Sequence, residues 1–234
     1  MKENILKVTN LSISFDQYGR GLKQFTTMPI ELLNVEIKKG EILAVVGSSG
    51  SGKSLLAHAI MDILPPNARV KGKIEYKSEP LNSKNIKKYR GKKIALIPQS
   101  VNYLDPSIKV KNQVKIGLEH KKSEKTKIQE DLFKRFGLKK SDGELYPYQL
   151  SGGVLRRVLF ATSIREGIEL IIADEPTPGV HPEILDTMLQ ELRKLADEGM
   201  AIMFITHDIP AALKISDKIT VFKDGRDIET SPTS

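Results

Sequence analysis

An α/β fold built on a largely parallel sheet is predicted by three observations. Short apolar, β-branched runs recur along the chain, and amphipathic helical stretches separate them, an alternation that sets successive strands parallel. Three of these runs, at 42–46, 170–173 and 202–205, pass at their carboxyl ends into glycine, acid or histidine. Ligands of open α/β sheets bind at such strand ends.

In chain order, the first expected strand is Leu11–Phe15 and the second, Ile42–Val46, opens onto a glycine-rich loop. A helical pattern over Leu55–Met61 follows, then strands at Lys73–Tyr76 and Ile94–Ile97. From about Ser100 to Arg165 the strand signals stop. A polar stretch, His120–Gln129, precedes an amphipathic piece around Leu132, Phe133 and Phe136, which predicts a helical insert in the sheet domain. The lysine-rich run at 121–127 is a solvated turn and helix start, because it lacks the interleaved aromatics of a base-stacking surface. Strands resume at Leu170–Ala173, Ile202–Ile205 and Ile219–Phe222. Between the first two of these, Ile184, Leu185, Met188, Leu189, Leu192, Leu195 and Ala196 recur at three- and four-residue spacings, the apolar stripe of a helix over Pro182–Glu198. Pro182 stands where a missing N–H costs least.

Composition narrows the classes of function. Among 234 residues, 37 Lys and Arg against 29 Asp and Glu leave a charge of +8, and 39% hydrophobic with 28% charged residues is ordinary for a globular protein. The absence of cysteine excludes disulfides, iron–sulfur clusters and thiolate-bound zinc. The longest apolar runs are about five residues, against roughly 20 for a spanning helix. The N-terminal MKENILKVTN has no apolar stretch of the kind that marks a secretory signal, so a cytoplasmic location is expected. The positive balance suits nucleic acid, an anionic membrane surface or a phosphate-rich ligand.

The loop GSSGSGKS, comprising Gly47, Ser48, Ser49, Gly50, Ser51, Gly52, Lys53 and Ser54, fits G-x-x-x-x-G-K-[ST] between a strand and a helix. Its glycines let backbone N–H groups turn inward as an anion nest, Lys53 reaches the terminal phosphates, and the Ser54 hydroxyl suits Mg²⁺. The helix dipole adds to the same attraction. The strand LIIADEP ends in Asp174 and Glu175. A buried carboxylate needs a cation, which points Asp174 toward the Mg²⁺ shell, and Glu175 beyond it is placed to polarise an attacking water. His207 ends the strand AIMFITHD and is suited to a hydrogen bond with a γ-phosphate. His58 and His120 lack such a context and are expected to be ordinary helix or surface residues.

With LSGGV at 150–154, these motifs make the chain resemble an ATP-binding cassette (ABC) transporter ATPase over nearly its whole length. The resemblance implies a P-loop NTPase core (1–98 and 166–234) with an N-terminal antiparallel β region. It implies a helical subdomain over 99–165 that carries the signature. It implies that Gln99 contacts Mg²⁺ and the water while sensing a membrane partner. Phe15 would stack on adenine, with Tyr18 the second choice, although Phe15 equally suits the core of the first strand. Ser151, Gly152 and Gly153 precede a helical run and would face ATP held by another subunit, so that two cassettes sandwich two nucleotides head to tail. The partners implied are membrane-spanning permease subunits, a second ATPase and an extracytoplasmic solute-binding protein, with no nucleic acid and with the chain on the cytoplasmic face of the membrane.

Finer features, IPQSVNYLDP at 97–106, YPYQLSGG at 146–153 and IADEPT at 172–177, resemble the peptide and nickel import branch, with the shorter nickel-type ATPases the nearer in length. Two positions depart from the family pattern. Val154 replaces the usual glutamine, and His181 replaces an aspartate that communicates across the dimer. The expected function is ATP hydrolysis coupled to uptake of nickel, another metal or peptide. The rivals are a soluble ABC ATPase acting on DNA or ribosomes and a regulatory cassette with impaired hydrolysis.

Overall fold

The computed structural model describes residues 2–18 and 24–233. Its strands are β1 (Asn4–Tyr18), β2 (Gln24–Lys38), β3 (Ile42–Gly47), β4 (Ala68–Tyr76), β5 (Glu79–Pro80), β6 (Ile94–Ile97), β7 (Leu170–Asp174), β8 (Ala201–Thr206), β9 (Lys218–Lys223) and β10 (Arg226–Pro232). The α-helices are α1 (Lys53–Ile60), α2 (Ile86–Tyr89), α3 (Val110–Lys115), α4 (Lys122–Arg135), α5 (Lys140–Gly143), α6 (Gly152–Ser163), α7 (Pro182–Asp197) and α8 (Ile209–Ile215).

The strands form two sheets. Six lie in the order β10-β9-β3-β8-β7-β6, parallel throughout except where β10 turns back along β9. Four lie in the order β2-β1-β4-β5, all antiparallel. The alternation of strands and helices therefore describes the larger sheet, and it misplaces the first and third expected strands. Leu11–Phe15 and Lys73–Tyr76 belong to β1 and β4, which pair with each other across the antiparallel sheet. Helix alternation marks parallel pairing only among strands of one sheet, and β1 and β4 lie in the other sheet, where they run antiparallel.

The central strands are buried on both faces, and alternate residues supply two cores. Ile42, Ala44 and Val46 of β3 join Ile171, Ala173, Ile202 and Phe204 in a core covered by α6, α7 and the helices of the insert. Leu43 and Val45 join Leu170, Ile172, Met203 and Ile205 in a second core, shared with α1 and the inner face of the antiparallel sheet. Each Val, Leu, Ile, Met or Phe among them contributes roughly 1.5–3 kcal/mol on burial, and burial on both faces is why these strands are continuous apolar runs instead of alternating ones. Between Ile97 and Leu170 the described residues form only helices and turns. The lysine run enters α4 as a helix start, where Glu124 accepts a hydrogen bond from the Lys121 N–H at 3.2 Å.

Candidate functional site

The central strands end level with one another. Val46 of β3 pairs with Thr206 of β8, and Asp174 of β7 pairs with Ile205. The loops after these strands, and the loop after β6 that carries Gln99, therefore open at one end of the sheet.

The phosphate loop begins where Gly47 leaves β3. A Cβ there would stand 2.3 Å from the Phe222 carbonyl oxygen, and at Gly52, with φ +98°, it would stand 2.7 Å from the Pro29 carbonyl oxygen. Only glycine satisfies both positions. Ser48, Ser49 and Gly50 are exposed, while Ser51 and Gly52 form the buried base. Lys53, the first residue of α1, is buried, and its ammonium donates to the carbonyl oxygens of Gly47 and Ser48, each at 2.8 Å, and to Ser51 Oγ at 3.5 Å. Burial pulls its pKa down, opposed by the negative charges of Glu175 and Asp174.

The next residue ties the loop to β7. Ser54 Oγ donates to Asp174 Oδ1 at 3.0 Å, and Asp174 is only 2% exposed. Burial raises the Asp174 pKa, opposed by the Ser54 hydrogen bond and by the charges of His58 and Lys53. A hydroxyl and a carboxylate so placed are hard oxygen donors suited to Mg²⁺, an ion that keeps several water and phosphate oxygens in its shell. Among the described residues no cluster of three or more His, Asp or Glu side chains is arranged to hold a metal unaided. The pair thus fits an ion that arrives with its ligand.

Glu175 turns sharply out of the strand with φ 45°, uncommon for a residue bearing a Cβ. The turn is tethered by its N–H, which donates to the Ile205 carbonyl of β8 at 2.9 Å. The side chain is buried, and Oε2 lies 2.8 Å from His207 Nδ1. The two strand ends thus bring together an acid and a base that are 32 residues apart in the chain. An imidazole bonded through Nδ1 keeps Nε2 free for a further group.

Other expected site residues stand apart. Gln99 is exposed, and no hydrogen bond joins its side chain to Ser54 or Asp174 among the described residues. Phe15 is half-buried and packs against the second core, whereas Tyr18 is 67% exposed and its hydroxyl accepts from Gln24 Nε2 at 2.6 Å. Ser151 precedes α6 as its N-terminal cap residue, without a side-chain capping bond, and among the described residues no hydrogen bond links 151–153 to the phosphate loop. His181, exposed, holds the corresponding place before α7.

Sequence reasoning passed over Arg156. From α6 its guanidinium donates to the carbonyl oxygens of Gln99 at 2.5 Å, Glu175 at 3.3 Å and Pro178 at 3.2 Å, stapling the insert to two strand-end loops. Burial lowers its pKa. The available signal was a pair of arginines in the otherwise apolar run VLRRVLFATSI.

Residues 30–178 match the model of the ABC transporter family, a span that holds the phosphate loop, Gln99, the signature and the Asp-Glu pair. The chain belongs to the ABC transporter family. Among ABC relatives, it is 33% identical to the oligopeptide transport ATP-binding protein OppD of Bacillus subtilis, matching over 97% of this chain and 65% of that one. It is 32% identical to the uncharacterised ABC transporter ATP-binding protein YejF of Escherichia coli over 98% and 45% of the two chains. The chain spans less than two thirds of the length of these two relatives. It spans 90% of the glutamate transport ATP-binding protein GluA of Corynebacterium efficiens, at 30% identity and 97% of this chain. Among solved structures, the ATP-binding cassette MJ0796, a dimer bound to ADP and phosphate, superposes with a TM-score of 0.87 at 25% identity, covering 98% of this chain and 99% of that one.

Proposed function

We propose that this chain is the ATP-hydrolysing subunit of a membrane importer and that the imported solute is a peptide. The observation that carries the hydrolytic reading is the convergence of Ser54–Asp174 and Glu175–His207 beside one anion nest. The oligopeptide relative supports peptide over nickel, the other solute of the branch.

In this reading ATP lies along 47–54, and bound Mg²⁺, held by Ser54, Asp174 and Gln99, supplies neutralising charge to its phosphates. Lys53 exchanges the Gly47 and Ser48 carbonyls for terminal phosphate oxygens, and the loop N–H groups stabilise charge developing there. Glu175 orients the attacking water and accepts its proton. His207 holds the Glu175 carboxylate in place and offers Nε2 toward the γ-phosphate. Adenine stacks on Phe15 or Tyr18. Ser151, Gly152 and Gly153 of a second cassette close over the nucleotide, and residues 99–165 move as a helical subdomain. His181 sits in the loop that would communicate between the two sites.

A groove of about 340 Å³ that Pro98, the residue before Gln99, helps to line supports a permease partner. Met61, Leu96, Tyr103 and Ile116 line it, and Arg90 and Arg165 have no ion-pair partner among the described residues. An amphipathic loop helix with acidic residues fits that chemistry. No described helix is long and apolar enough to cross a membrane, so the permease supplies the bilayer spans, and this chain docks on the cytoplasmic face. A solute-binding protein completes the system, and nucleic acid has no part in it.

The test is Glu175→Gln. The variant is expected to bind ATP like the wild type while steady-state phosphate release falls by about 10²–10⁴-fold. Wild-type turnover in that variant would remove Glu175 from the chemistry. Tight ATP binding with negligible turnover in the wild type itself would favour the regulatory cassette.

A further inference from the structure

The helical insert contains a cavity of about 470 Å³ that shares no residue with the phosphate loop, Gln99, the signature or the strand-end acids. It lies among α3, α4 and α5, and its volume is that of a small-molecule pocket. Buried Phe133 and Leu138 give it an apolar wall.

Its polar lining is unbalanced. Four lysines, 111, 115, 134 and 140, face two glutamates, 130 and 144. Glu144 is already engaged by Lys109 and Lys111. Lys115 donates to Thr126 Oγ1 at 3.2 Å, a neutral partner. Lys134 and Lys140 form no ion pair among the described residues. The excess around the cavity is therefore positive.

Gln129 supplies an independent observation. It lines the cavity from α4 and is only 6% exposed, yet its amide has no hydrogen-bond partner among the described residues. Its amide atoms keep some contact with solvent, so a ligand can reach them. An amide with no protein partner, in a lining that also holds lysines and an apolar wall, is available to a polar ligand atom.

We propose that this cavity binds a small organic anion with an apolar body. Its carboxylate or phosphate head is held by Lys115, Lys134, Lys140 and the Gln129 amide, and its body lies on Phe133 and Leu138. Ammonium groups act as point charges without the planar fork of arginine, which suits either head group. The head could come from a soluble acid or from an anionic lipid, and both present the same chemistry.

Titration calorimetry of the full chain with octanoate and octyl phosphate, and cosedimentation with phosphatidylglycerol–phosphatidylcholine vesicles, separate these sources. Saturable binding of the soluble amphiphiles alone identifies a soluble acid, and binding to the vesicles alone identifies a lipid head. In either case Lys134→Ala/Lys140→Ala weakens binding by roughly tenfold or more. Gln129→Leu, which keeps the side-chain volume, also weakens it without lowering the melting temperature. The proposal is overturned by unchanged affinity in either variant, by inorganic phosphate binding as tightly as octyl phosphate, or by no saturable binding in any arm.

Discussion

Asp174 sits in an environment that opposes its charge. Burial raises its folded-state pKa above the unfolded value, although Ser54 and Lys53 partly offset the penalty. For an acid shifted in this direction, the ionised form costs stability in full above the folded pKa, and the cost shrinks as pH falls from there and is gone below the unfolded pKa. Asp174→Asn keeps an oxygen to accept the Ser54 hydrogen bond and removes the charge. The free variant is therefore expected to melt about 2–4 °C above the wild type at pH 7 for each kcal/mol recovered, with the gain shrinking toward acid pH. Added Mg²⁺ and ATP should stabilise the wild type and not the variant. A variant that melts at or below the wild type at pH 7 refutes this account of the site. The residue types here were legible because a core strand that ends in acids is chemically anomalous. The turn at Glu175 was not, because its positive φ follows from a tether to the neighbouring strand.

At the scale of elements, legibility followed the burial of each strand. Strands β3, β7 and β8 are buried on both faces and form uninterrupted apolar runs, whereas β2 and β10 went unrecognised. In β2 the alternation of Leu33, Val35 and Ile37 is present, but Pro29 interrupts the segment and the register with β1 shifts repeatedly. Each bulge resets which residues face the core, so a single period cannot describe the strand. In β10, RDIETSP leaves no apolar face, because the strand lies at the sheet edge and is mostly exposed. Arg156 also belongs to this scale, since one side chain on α6 fixes two loops from the far side of the insert. Arg156→Lys keeps the charge but replaces the two guanidinium nitrogens that divide the three carbonyls with one point donor on a shorter side chain. It is expected to lower unfolding free energy by about 1–3 kcal/mol, measured by urea denaturation, and to reduce turnover more than nucleotide affinity. Equal stability and turnover would mean that the staple is incidental.

For the whole molecule, the signature is the feature that one chain leaves unexplained. Gly47 and Gly52 are required by backbone oxygens of the same chain, but a Cβ on Gly152 would meet nothing within 4 Å, and one on Gly153 only the Gly179 carbonyl at 3.8 Å. Neither residue needs a positive φ. At the start of α6, alanine in place of glycine should even help the helix, by up to about 1 kcal/mol. The fold itself therefore sets no requirement for glycine here; under the proposed function a second cassette bringing its nucleotide against the exposed helix N-terminus would impose one. Gly152→Ala is accordingly expected to melt at or slightly above the wild-type temperature and to bind ATP at its own phosphate loop with unchanged affinity. It should fail to dimerise when ATP is added to the Glu175→Gln background, as followed by size-exclusion chromatography with light scattering. If the doubly substituted chain forms the ATP-dependent dimer as readily as Glu175→Gln alone, the signature does not meet nucleotide across an interface, and its glycines act only as a helix start.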